Sequence, residues 1–573
     1  MKKSMLIKRI STLIPLLTFF FITVACSSNT TDGDNGNQEA NNDTNGGALS
    51  DEQVLRLTET DEIRSMDTSF ATDSISHGAT NRVFSGLITY EDDELTPELA
   101  EDMPEANEDN TEYTFKLRDD AVWSNGEPII ADDYVYSWRR ALDKDYESQY
   151  DYIFEAAHIK NAATITDEDS DLYGKTEELG VEAVDDYTLK VTLDEPTPPQ
   201  YFNSLMQYTP FYPLNEEFVE EQGDDYAKEP ENLIYSGPFV LDEWDHGSGW
   251  TLKKNEDYFN ADQITLDKVE YQVVKDTKTA LKLYENGEID NVKLTAEDVE
   301  NYRDDPEFHE KLGLYVYYWD FDRNNVPEFE NENLRKAFFY AIDRDSAADV
   351  ILNDGSEGAN YIVPKEFAEG PDGEDFHAEG STADIADYPE TDKEKAQEYW
   401  EKAKKELDIE DLDIEYMTTD ESTTEELADY YVNELEETLD GLNITINKQP
   451  FKSYLDMTAN GEAELAAGVG WKADYEDPIS FLELFTTGNS INTFGLSDEK
   501  YDSMIEKAGK LGDEPEKRWE LLQEAEQYLI DKAMIIPTYQ EGEAELTKDY
   551  VSGNIDQVKG LSNYYRYAEI KEH

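Results

Sequence analysis

Apolar and polar residues alternate with period two at residues 113–118 (YTFKLR) and 187–193 (YTLKVTL), the pattern of strands with one buried face. The period turns helical at residues 131–142, where Tyr134, Val135, Trp138 and Leu142 share one side, and again over 334–352 and 516–532. Short strand-like and helix-like segments keep alternating to the C-terminus without a fixed-period repeat, which predicts α/β lobes. Clusters of Pro, Gly, Asn and Asp at 123–128, 196–199 and 371–373 mark connections. At 573 residues the chain exceeds what one core supports, so two or more core-bearing units are expected.

The N-terminus breaks this alternation. Lys2, Lys3, Lys8 and Arg9 precede an apolar run over 10–24 that is short for a membrane span and reads as a secretion signal. The run ends in Thr23-Val24-Ala25-Cys26, with small residues before the single cysteine of the chain. This resembles a bacterial lipobox, with Thr23 where Leu is usual. Residues 1–26 are therefore expected to be a signal peptide with lipobox, and Cys26 the site of lipidation by a palmitate-type chain, since no second cysteine exists to pair with it. Residues 27–50 are poor in apolar side chains and rich in turn formers, the composition of a disordered tether.

Charge narrows the partners. There are 48 basic against 133 acidic residues, a net charge of −85, which disfavours nucleic acid and anionic lipid surfaces. The acidic residues are spread along the whole chain, as on a solvated, halophilic-type surface suited to high salt or alkaline surroundings. The catalytic inventory is poor. None of the six histidines (His77, His158, His246, His309, His377 and His573) forms a two-histidine helical zinc motif. Gly247-Ser248-Gly249 has the wrong spacing for a nucleophile elbow, and no Gly-rich loop is followed by Lys and Ser/Thr. Asp167, Asp169, Asp171 and Glu178 match a calcium loop, but its sixth position is Leu172 where the turn demands Gly, so a solvated acidic loop is expected. No enzyme activity, cofactor or metal is expected.

Residues 470–478 (GWKADYEDP) join a rigid aromatic, Trp471, to a carboxylate, Asp474, in a Gly-flanked loop that a ligand's backbone could approach closely. Alone, this segment reads better as a core anchor, Trp471, with a turn or cap residue, Asp474. It does not stand alone. In order come Phe84-Ser85-Gly86-Leu87, YTFKLR at 113–118, Trp123-Ser124-Asn125-Gly126, YSWRRAL at 136–142 and Ser236-Gly237-Pro238-Phe239. Gly287-Glu288-Ile289-Asp290, Leu334-Arg335-Lys336-Ala337 with Ala341-Ile342-Asp343-Arg344, and the GWKADYEDP loop complete the series. Over residues 51–573 the chain resembles the oligopeptide-binding proteins of ABC importers, within the family 5 extracellular solute-binding proteins.

The resemblance implies a two-lobed periplasmic-binding-protein-like fold of class II, with an extra subdomain in the first lobe. Lobe I is expected over 51–315, its subdomain at about 90–225, lobe II over 316–542, and a return to lobe I over 543–573, with crossings near Tyr315 and Gly542. By the same resemblance Asp474 receives the α-ammonium of a peptide, Trp471 shapes the site, Gly470 and Lys472 offer backbone groups, and Tyr150 lines the ligand. Some relatives hold the peptide's carboxylate with Arg and His where this chain has Gly468 and Ser422, so the ligand's trailing end is expected to be free. The partners implied are an oligopeptide and the permease subunits of an importer, the protein acting as a monomer anchored outside the cell membrane. Within the same family the alternatives are an oligosaccharide, a nickel chelate or a peptide pheromone.

Overall fold

The computed structural model describes residues 48–573, apart from 72, 92, 147, 149, 386, 387, 469, 474, 490, 513, 554–558, 561–564 and the side chain of 452. The leader, Cys26 and residues 27–47 lie outside the described residues, as does Asp474.

In the N-terminal half the strand Val54–Glu59 pairs in parallel with Lys268–Val273, and Gly249–Lys254 and Phe239–Asp245 extend that sheet antiparallel. Between these strands in sequence lies a separate antiparallel sheet, ordered Glu105–Ala106, Glu112–Lys116, Thr188–Thr192, Val181–Asp185. Its two middle strands are those the period-two pattern predicts, with Tyr113, Phe115, Leu189 and Val191 on the buried face. Helix Ala131–Ala141 lies in the same stretch of chain and buries Tyr134 and Trp138, whose indole N–H donates to the Phe211 carbonyl (3.0 Å). Asp133 starts this helix by accepting from the Ile130 N–H (3.0 Å) and the Trp123 indole (3.1 Å).

The helix expected over 334–352 is broken. It forms as Glu332–Ala341, Arg344–Ala347 and a π turn at Ala348–Leu352, because Ile342 is extended and Asp343 caps a new start, accepting from the Ser346 N–H (3.0 Å). The helix expected over 516–532 forms as Pro515–Asp531.

The second large sheet runs in the order Asn291–Lys293, Ile536–Thr547, Phe308–Phe321, Leu465–Ala466, Leu412–Thr419, Leu442–Gln449. Its two longest strands pair antiparallel from Phe308 to Trp319, with register breaks between Leu312 and Val316 and between Tyr317 and Tyr318. Trp319 faces the core against Tyr416 (5.4 Å) and Tyr431 (5.2 Å), and Tyr318 and Asp320 consequently face the other way.

The C-terminal residues return to the start. Leu49 is bridged to Lys571 and the Ser50 N–H donates to the Ile570 carbonyl (2.8 Å), so pairing begins inside the stretch read as tether. Arg566 pairs with the buried carboxylate of Glu98. In the acidic loop, Asp167 accepts from the Asp169 N–H (2.9 Å). Among the described residues no group of three or more His, Cys, Asp or Glu is placed to hold a metal ion, and no helix is long and apolar enough to cross a membrane.

Candidate ligand-binding site

Backbone geometry at two glycines fixes the GWKADYEDP loop. Gly468 has φ +95°, and a Cβ there would lie 2.5 Å from Thr418 Oγ1, so an L side chain is both strained and blocked. A Cβ on Gly470 would meet the Tyr317 ring at 2.8 Å, and that ring stacks on Tyr539 at 4.3 Å. The two-residue strand Gly470–Trp471 opposes Tyr317 and Val316, and its far edge carries no other strand among the described residues.

Strand alternation then sends Trp471 and Lys472 to opposite sides. Trp471 lines a cavity of about 330 Å³ with Gly470, Tyr318 and Asp320. Tyr454, Leu455 and Thr458 of helix Phe451–Ala459 form a second wall, and Ile491, Thr493 and Phe494 a third. Leu455 and Ile491 remain 42% and 44% exposed at the rim, apolar surface a soluble fold rarely leaves together without use. Among the described residues Asp320 is the one carboxylate lining this cavity, and its oxygens have neither a hydrogen bond nor an ion pair. The neighbouring Arg323 guanidinium is turned away to the carbonyls of Phe321 (3.0 Å) and Met534 (2.6 Å). Burial lifts the Asp320 carboxyl to about 6, opposed by Arg323 and reinforced by Asp322, which leaves it ionised at neutral pH. The Trp471 indole Nε1 is likewise buried without a hydrogen-bond partner among the described residues.

Lys472 borders a narrow slot of about 30 Å³ with Tyr90, Gln207, Tyr208, Leu314, Phe367 and Glu476. Burial holds its ammonium below the ordinary lysine range, against the pull of Glu543 and Glu541. The rear of the loop is clamped. Glu476 accepts from the Tyr90 hydroxyl (2.5 Å), Lys559 Nζ (3.0 Å) and Gln200 Nε2 (3.4 Å), while its own N–H donates to Ser204 Oγ (3.2 Å). Asp477 binds Arg518 through both oxygens (2.7 and 2.9 Å), and Tyr475 packs edge-on against Tyr201 at 4.7 Å.

Burial, reinforced by Glu543, lifts the Glu541 carboxyl to about 7 although Lys293 opposes it. A folded-state value above the ordinary carboxylate value of about 4.3 means that the proton stabilises the fold fully at low pH, and that this stability is lost as pH rises toward 7. Glu541→Gln keeps the neutral form. Its stability advantage over the wild type is expected to grow between pH 4.5 and 7 and then level off, at about 2 kcal/mol, read from denaturation midpoints across that range.

The structure thus divides the residues singled out from sequence. Gly470 and Trp471 meet at the large cavity, whereas Lys472 turns to the slot. Tyr150 lines neither; it is partly buried with its ring 5.2 Å from His77, which lies 6.5 Å from Tyr208 of the slot. Gly468 has no room for a side chain, and Ser422 is exposed at the start of helix Ser422–Thr438. Sequence reasoning missed Asp320, Glu476 and Asp477. The signal for Asp320 was a charge inside the apolar run YVYYWDF, and for the other two a pair of acidic residues set against Pro478.

Residues 94–493 match the model of the bacterial extracellular solute-binding proteins, family 5. The dipeptide-binding protein DppE of Bacillus subtilis is 30% identical over 542 residues, 93% of this chain and 94% of the relative. The oligopeptide-binding protein OppA of the same organism is 29% identical over 576 residues, 98% of this chain and all of the relative. The solved structure of Listeria monocytogenes OppA bound to peptide superposes with a TM-score of 0.73 at 35% identity, covering 91% of this chain and 100% of the other. These relatives are substrate-binding proteins and not enzymes, and the mixed α/β chain matches their fold, that of the two-lobed family 5 binding proteins. From fold, site and kinship together, the chain belongs to the bacterial extracellular solute-binding proteins of family 5.

Proposed function

We propose that this protein is the lipid-anchored receptor of an ABC importer, held outside the membrane through Cys26, which captures oligopeptides between two lobes and hands them to the permease. The observation that carries the reading is the GWKADYEDP loop, which offers a cavity and a strand edge that no other strand occupies among the described residues, and is clamped behind to Tyr90, Gln200 and Ser204 of the N-terminal half. A free edge suits an extended peptide, which binds by main-chain hydrogen bonds and leaves side chains to separate pockets. The names of the relatives, dipeptide- and oligopeptide-binding, support the same ligand class. The expected crossings support the hinge: Gly542 pairs with Leu312, and Tyr315 sits in the register break that follows.

Asp474 is the proposed partner of the ligand's α-ammonium. An enclosed charge without its partner costs about 2–5 kcal/mol. Asp474→Ala is therefore expected to weaken peptide binding by roughly tenfold or more in calorimetric titration, and the wild type to bind an N-acetylated peptide equally poorly. Equal affinity for acetylated and free peptides would remove Asp474 from this role. Native mass spectrometry of protein purified from cells tests the ligand class: a mixture of peptide masses is expected, and a single non-peptide mass would overturn the reading.

A further inference from the structure

The cavity beside Trp471 has a composition that the α-ammonium site does not explain. Its walls are mostly aromatic and aliphatic, yet Asp320 stands among them with no hydrogen bond or ion pair to its oxygens among the described residues, and the neighbouring Arg323 directs its donors to two carbonyls. A carboxylate in a largely apolar enclosure is costly unless a cation joins it. A volume of about 330 Å³ is at the low end for whole small ligands, too small for a peptide and large enough for one long side chain. Leu455 and Ile491 at the exposed rim would cover an aliphatic stem, and Trp471 and Tyr454 would flank a cation with aromatic rings.

We propose that this cavity is a side-chain subsite for a basic residue of the bound peptide, lysine-like in having an apolar stem and a cationic end, with Asp320 as its counter-ion. The inference rests on the peptide-binding reading and adds selectivity to it. Main-chain recognition alone would be indifferent to sequence; a buried counter-ion makes one ligand position prefer positive charge and reject glutamate.

The test uses alanine pentapeptides with free termini that carry a single lysine, norleucine or glutamate at each position in turn, titrated calorimetrically into the whole protein. Norleucine keeps the stem and removes the charge. At one position lysine is expected to bind roughly tenfold or more tighter than norleucine, with glutamate weakest. Asp320→Asn should abolish that difference, with a circular dichroism spectrum like the wild type's showing that the variant is folded. Lysine and norleucine binding equally at every position, or a preference that survives Asp320→Asn, overturns the subsite but leaves peptide binding intact. If no pentapeptide binds the wild type, the peptide-binding reading itself fails and the subsite falls with it.

Discussion

Replacing Asp477 with Ala is expected to lower the unfolding free energy by about 3–5 kcal/mol. Asp477 and Arg518 are both more than nine-tenths buried and meet through two hydrogen bonds of 2.7 and 2.9 Å. Asp477 Oδ1 also accepts from the Ile479 N–H (2.9 Å), which holds the start of the short helix Ile479–Leu482. Removing the carboxylate strands the guanidinium in a place water cannot reach, and that loss far exceeds what the intact pair contributes over an apolar pair. The double variant Asp477→Leu, Arg518→Leu should therefore recover much of the lost stability, a coupling that a double-mutant cycle reads directly. A single-variant loss below about 1 kcal/mol would show that water or another group reaches Arg518.

Glu98→Ala should cost a similar amount, about 3–5 kcal/mol, and should be more damaging than Arg566→Ala. Glu98 gathers four donors in the interior: Ser85 Oγ (2.9 Å), the Gly86 N–H (3.2 Å), the Tyr258 hydroxyl (3.3 Å) and Arg566. Losing the carboxylate removes an acceptor from a buried cation and from three neutral donors at once, whereas Arg566→Ala leaves Glu98 with three of its four hydrogen bonds. Because Arg566 belongs to the last stretch of chain, Glu98→Ala is also expected to hasten proteolysis of the C-terminal segment. Denaturation midpoints and a protease time course on both variants check the order; equal losses would mean that the ion pair alone matters.

Local patterns carried far in the sequence. The strands Glu112–Lys116 and Thr188–Thr192 and the helices Ala131–Ala141 and Pro515–Asp531 lie within two residues of what hydrophobic period predicts, because each buries one side against a layer already implied by its own alternation. The period failed at 342–343, where apolar spacing continues across a break. The competing signal there is Asp343 followed three residues later by Ser346, a cap that restarts the helix. The site was legible only as a loop. Trp471 and Asp320 lie about 150 residues apart and become neighbours through pairing of strands that period alone does not match to each other. The clamp is similar: Glu476 finds Tyr90 and Gln200 from distant parts of the chain, and nothing local in either tyrosine or glutamine announces a partner.

The two-residue strand Gly470–Trp471 is so short that its meaning lies in its spacing. Counted from Gly468, where the chain passes through a left-handed turn that only glycine accepts comfortably, position three faces the cavity and position four the slot. A one-residue deletion between Gly468 and Trp471 would bring Lys472 to position three, an ammonium against Asp320, whereas a one-residue insertion would bring Trp471 to position four, an indole against Glu476. The segment can therefore drift in composition more readily than in length, and a change of one residue here would rewrite selectivity in a single step.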